Sequence, residues 1–205
     1  MADHVSDIAF TAAVKARQER HGSRDGYEKQ MARRDWQVEV TEDLAKFIAA
    51  RDSFYMATVS ENGRPYVQHR GGPAGFLKVL GPRTLGFADF SGNRQYISAG
   101  NLDGNDQVHL FFMDYANSQR IKLWGRARVV DDDPDLVDRL MPAEYRARPE
   151  RAIVIEIDAW DVNCPQHIPA LWPEDAVKAA TAKLTARIAA LEAENAELKQ
   201  WLGKG

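Results

Sequence analysis

Cys164 is the only cysteine in the chain, and it stands three residues ahead of a histidine in the stretch NCPQHIPALWP. A thiol and an imidazole that close together raise two chemistries, a thiolate nucleophile with His167 as its base and a metal site. Pro165 sits between them, fixes its own φ and biases Cys164 toward extended backbone, which works against a facing pair. Zinc would need about four ligands, and no second Cys/His pair lies nearby in the sequence. Lone cysteines are commonly buried as small hydrophobes, so an inert, buried Cys164 is expected and no metal is.

Three other segments could carry chemistry. In FADFSGNRQYISAGNL a strand ends at Phe90, turns through Ser91 and Gly92, and is expected to start a helix near Asn93 with Arg94 in its first turn and Gln95 beside it. Free N–H groups at a helix start and a guanidinium together make an anion site. The competing reading is an ordinary Ser/Asn cap with a solvated arginine. In QHRGGPAGF, Gln68, His69 and Arg70 run into Gly71 and Gly72, where a bulge and a close approach by a ligand are possible; the alternative is a flexible loop at a rim. In QRIKLWGRARVV, Arg120 and Lys122 alternate with Ile121 and Leu123 and therefore face one side of a strand. Facing a cleft they would supply positive charge, and facing solvent they would mean nothing.

The elements that must position these groups follow from periodicity. Residues 8–20 and 41–50 read as helices, the second opening on Thr41 as N-cap with Leu44, Phe47 and Ile48 on one face, and HGSRDGYEKQ between them reads as a surface loop. The period then changes to two. FYMATVS, the turn ENGR and PYVQHR form a hairpin centred on Asn62 and Gly63, and further strands are expected over 75–80, 84–90, 107–114, 119–130 and 151–162. Two helical interruptions, NRQYISAGNL and PDLVDRLM, separate them. At least six mostly antiparallel strands in about a hundred residues should close into a barrel, because closure removes exposed edges. From Trp172 onward the pattern is helical, and Leu184, Ile188, Leu191, Asn195, Leu198 and Leu202 step by four and three alternately. That seam suits a short coiled coil with one Asn in its core, or else a terminal helix packed on the barrel.

Composition excludes several classes. The net charge of -3, from 27 basic and 30 acidic residues spread along the chain, leaves no basic stripe for a nucleic-acid backbone. No run approaches the roughly 20 apolar residues of a membrane span, and the N-terminus lacks the apolar core of a secretory signal. With one cysteine no internal disulfide can form, so a cytoplasmic protein is expected.

Taken in order, ATVSENGRPYVQHR, TLGFADFSGNRQ, DQVHLFF and QRIKLWGRARVV resemble the flavin-binding split β-barrel of the pyridoxamine 5'-phosphate oxidase family, across about Phe54 to Val162. The resemblance implies an α+β, mainly β protein: an N-terminal helical segment over 1–50, a split antiparallel barrel over 51–170, and a C-terminal helix over 171–205. It implies two chains paired around FMN in a cleft at their interface. Gln68, His69, Arg70 and Gly71 then correspond to the strand lining the isoalloxazine and ribityl chain, Ser91 and Asn93 to Gln95 to the phosphate site, and Arg120 and Lys122 to the region of the flavin ring. Gln166 and His167, delivered after the last strand, are expected to point at the flavin or the substrate space, with His167 a candidate proton donor; a loop histidine bonded to backbone is the competing reading.

The departures from the family narrow what the resemblance implies. Gln95 stands where the family has a lysine, and the family's C-terminal substrate residues have no counterpart here. The resemblance therefore implies an FMN-dependent oxidoreductase of a small molecule other than pyridoxamine phosphate. The alternatives are a non-catalytic flavin- or haem-binding storage or sensor protein and a structural dimer without cofactor. The absence of a GxGxxG segment argues against a nicotinamide held in a Rossmann domain.

Overall fold

The structure, a computed structural model, describes residues 4–203. The chain divides into two units. One runs through Asp114 and from Gln119 to Pro165; the other holds Tyr115–Ser118 and the chain from Gln166 on.

The first unit is built on seven antiparallel strands: β1 Ser53–Val59, β2 Pro65–Gly71, β3 Lys78–Gly81, β4 Thr84–Phe90, β5 Gln107–Asp114, β6 Gln119–Val130 and β7 Pro149–Val162. Their order is β2-β1-β5-β6-β7-β4-β3. The hairpin β1–β2 closes as its Asn-Gly turn requires, with Gly63 at φ 74. Alternation along the strands sends Phe54, Met56, Leu85, Phe87, Leu110, Phe112, Leu123 and Ile155 to one interior, where Phe54 packs on Phe76, Phe87 and Phe112.

The expected closure does not occur. The ladder ends at β2 on one side and β3 on the other, so the barrel is split. β3 is also shorter than its sequence suggests, because Phe76 and Leu77 leave the strand pattern to plug the core after the turn at Gly75, φ 78. In place of a backbone ladder, the side chain of Arg70 on β2 reaches Asp89 on β4.

Helices cover the sheet. α1 Ala12–Arg20 and α2 Arg24–Arg33 precede α3 Glu42–Ala49, whose Thr41 hydroxyl accepts from the Leu44 N–H at 3.2 Å and whose Leu44 and Ile48 are buried. The segment read as a loop over 21–30 is thus largely helix. Its polar sequence hides the helix, since only Met31 is buried, but Tyr27 packs edge-on against Phe10, which in turn meets Trp36. Trp36, Met31 and Ala159 of β7 share a cluster, and the Trp160 indole donates to the Glu39 carbonyl at 2.9 Å. α5 Pro134–Leu140, capped by Asp133, buries Leu136 and Leu140 over β4 and β7.

The second unit contains α6 Glu174–Leu202, a helix in which no residue is buried.

Candidate functional site

α4 Ile97–Gly104 packs on β1 and β6 and starts beside β2. Ser98 donates to the Gln68 amide oxygen at 2.8 Å, and Asn101 donates to Thr58 at 2.9 Å, so the helix is pinned to the β1–β2 hairpin by its own polar face. The helix starts at Ile97, later than the sequence suggests. The intervening turn holds Arg94 and Tyr96 in the left-handed region, φ 58 and 55, which displaces Arg94 from the first helical turn to the loop ahead of it. Such conformations cost non-glycine residues about 1–3 kcal/mol and persist where surrounding contacts impose them. Here the Arg94 Nε donates to the Tyr96 hydroxyl at 2.8 Å, and the Asn93 side chain accepts from the Gln95 N–H.

A cavity of about 70 Å³ lies at this point, lined by Tyr66, Gln68, Arg70, Asp89, Asn93, Arg94, Gln95, Glu150 and the first residues of α4. The structure thus brings Gln68, Arg70, Asn93, Arg94 and Gln95 together from two separate motifs. Alternation on β2 explains why Gln68 and Arg70 share the cleft with Tyr66. His69 stands edge-on to Tyr55 at 5.6 Å, and with Gly71 and Arg70 it borders a neighbouring cavity of about 130 Å³. Ser91 is committed to Glu150, to which its hydroxyl donates at 3.0 Å.

The charge balance of the cleft is set by residues the motifs did not reveal. Asp89 accepts from Arg70 at 2.5 Å and has the Arg151 Nε at 3.8 Å, while Arg151 also donates to Glu150 at 3.2 Å. Burial pushes the Asp89 carboxyl up, against the pull of Arg70 and Arg151. Glu150 is held low, chiefly by the Ser91 hydrogen bond and then by Arg151. Arg70 and Arg94 thus line the cleft together with Asp89 and Glu150, and Arg151 behind them is shared with Asp131 at 3.2 Å, so the formal charges balance. The Nε atoms of Arg70 and Arg151 are buried with no hydrogen-bond partner. Tyr96, the residue capping α4, makes no side-chain bond to the helix start, so the first N–H groups of α4 are also left to a ligand or water. The donor set fits a phosphate monoester: guanidinium groups and the amide N–H groups of a helix start.

The remaining candidates lie elsewhere. Lys122 pairs with Asp161 at 3.2 Å and stands 4.1 Å over the Trp36 ring, while Trp36 stacks on Trp124. Arg120, on the same side of β6, has a buried and unbonded Nε. Neither residue joins Gln68 and Arg70 within one chain. Cys164 is exposed rather than buried, since the chain leaves the sheet at Val162 and gives the thiol no core to enter. Gln166 and His167 belong to the second unit, and His167 occupies the left-handed region at φ 63. Among the described residues no group of three His, Cys, Asp or Glu could hold a metal ion, and no helix is long and apolar enough to cross a membrane.

Asp89 and Arg151 escaped the sequence reading because they sit 19 and 81 positions from Arg70. The available signal was their phase: both fall next to buried positions near the end of one strand and the start of its antiparallel partner, where Asp89 pairs with Arg151.

Solved structures are similar to this chain. HupZ of Group A Streptococcus superposes with a TM-score of 0.50 at 12% identity, over 65% of this chain and 99% of that one. An FMN-binding protein from Syntrophomonas wolfei gives 0.45 at 14%, over 71% and 97%. A protein from Clostridium acetobutylicum related to general stress protein 26, of the pyridoxinephosphate oxidase family, gives 0.44 at 13%, over 67% and 99%. No curated protein matches the chain. The family model described as pyridoxamine 5'-phosphate oxidase matches residues 40–164, well over half of the sequence and the whole stretch from the lead into α3 to the end of β7, and this chain belongs to that family.

Proposed function

We propose that this protein binds FMN, with the phosphate in the cleft between β2, β4 and α4, and that it works as a homodimeric oxidoreductase on a small molecule. The observation that supports this reading is the cleft itself: Arg70, Arg94 and the uncapped start of α4 line one small cavity with room for a phosphate group. Arg94, reaching in from the left-handed turn, supplies the charge most exposed to the ligand, and Arg70 and Arg151 are held in place by Asp89 and Glu150.

Size argues for a second chain. About 70 Å³ has room for a phosphate but not for a three-ring flavin, so the ring extends beyond the cleft. A partner would then cover the ring, and Arg120 and Lys122, remote from the cleft in one chain, would reach flavin across the interface. FMN supplies the two-electron exchange at its ring when bound. The protein's own groups anchor the phosphate, exclude water from the ring and present hydrogen-bond donors to it.

Purified protein should carry flavin absorption bands, or acquire them on titration with FMN. A Soret band in their place would point to haem, and a colourless protein that does not respond to FMN would remove the proposal. Arg94→Ala should weaken FMN binding by about 1.5–3 kcal/mol, the range for a hydrogen bond to a charged group. Unchanged affinity would take the phosphate away from this cleft.

A further inference from the structure

The apolar seam of α6 lies open along its length. Exposure runs from 38% at Leu191 to 71% at Leu202, with Leu184, Ile188 and Leu198 between. The seam extends upstream through Val177 and Thr181 with the same alternation of four and three. In heptad terms, Val177, Leu184, Leu191 and Leu198 fall at d, and Thr181, Ile188, Asn195 and Leu202 fall at a. Leucine at d and a β-branched residue at a favour two strands over three or four.

Two features specify what covers the seam. The first is charge. Arg187 and Glu194 fall at g, and Glu192 and Lys199 fall at e. In a parallel, in-register pair each g residue meets the e residue five positions on in the other chain. Arg187 then meets Glu192, and Glu194 meets Lys199, so every charged contact across the seam joins opposite signs. The second feature is Asn195. Within one chain its amide N–H donates to the Leu191 carbonyl at 3.1 Å, which leaves its oxygen and second N–H available. In a parallel pair the two copies of Asn195 face each other and can hydrogen-bond, whereas an antiparallel pair sets Asn195 against leucine at d and buries it unsatisfied.

We infer that α6 pairs with the α6 of a second copy as a parallel, in-register, two-stranded coiled coil. A parallel pair has a two-fold axis along it, the symmetry of an isologous dimer. The inference rests on α6 alone and does not need flavin to be bound.

The test uses the full chain with Cys164→Ser. Leu198→Cys places a thiol at d, where the two copies of a parallel pair come within disulfide reach. Position 198 is ten residues from the middle of α6, so an antiparallel pairing centred on the helix would hold the two thiols about 30 Å apart. Ala193→Cys, on the outer face at f, is the control. Under mild oxidation Leu198→Cys should form covalent dimer at least about tenfold faster than Ala193→Cys, as the facing of d positions requires. Adding Lys199→Glu should slow the reaction, and adding Glu194→Lys as well should restore it. Leu198→Cys that stays monomeric, or that oxidises no faster than Ala193→Cys, would overturn the inference. So would a charge reversal without effect, or one the second change does not rescue. FMN titration of the same variants separates this outcome from the flavin reading, since dimer formed by a protein that ignores FMN would leave the coiled coil standing.

Discussion

The barrel and the C-terminal helix show the same kind of apolar periodicity and use it in opposite ways. On β1, β4, β5 and β7 every second residue turns into a core completed by the chain itself, and Phe54, Leu110 and Ile155 are essentially inaccessible. On α6 the periodic residues are all exposed. A sheet that curls can cover its own apolar face, but a single helix cannot, because one stripe has nothing on the same element to pack against. Periodicity thus shows that a face will be buried without showing what buries it.

Substitutions can break that contrast, and the largest effect should come from the core. Phe54→Ala removes a ring packed on three others and should cost the first unit about 3–5 kcal/mol in denaturant unfolding, as for large-to-small changes at buried aromatics. A loss near zero would mean that the barrel interior is not where its stability resides. Gly125→Ala comes next. It sits at the irregular step in the β6–β7 register, where an added Cβ would lie 2.3 Å from the Glu156 carbonyl oxygen. The strands would have to separate there, at a cost of about 1–3 kcal/mol of the kind seen for overpacking, read as a drop in the thermal midpoint.

A smaller effect should follow pH. His109 on β5 lies against Trp124, and burial, then the nearby Lys122, depresses its pKa below 6.5. The folded state therefore binds fewer protons at this site than the unfolded chain. The stability contributed is fully present above pH 6.5 and is lost as the pH falls from there through the folded pKa. His109→Gln should be less sensitive than the parent when unfolding is compared at about pH 7.5 and 5.5, either side of the ordinary histidine value. Equal slopes would show that the wall of the barrel does not discriminate between the charge states. The smallest effect belongs to the tail: Leu191→Ala should leave unfolding of the first unit within about 0.5 kcal/mol, as for exposed sites away from any packed feature. A loss comparable to that of Phe54→Ala would erase the contrast between the two regions.

Local chemistry made much of this molecule legible in advance. Asn62-Gly63 specifies a tight turn, Thr41 a helix start, and the alternation in QVHLFFMD and QRIKLWGRARVV two strands whose observed limits coincide with those patterns. The order of the motifs pointed to the family, since strand spacing survives where individual residues change. Three things needed tertiary contacts. α2 forms from a polar segment because Tyr27 and Met31 find Phe10 and Trp36. The barrel stays split, with an ion pair from Arg70 to Asp89 where a ladder between β2 and β4 would lie. The cleft acquires its balance of charge only when β4 and the start of β7 pair, which brings Asp89, Glu150 and Arg151 beside Arg70 and Arg94. The sequence by itself determined which residues would turn inward, because side-chain direction follows from a period of two or of 3.6. Only the tertiary structure decided which charges would meet, because long-range proximity depends on how the whole sheet curls rather than on any local rule.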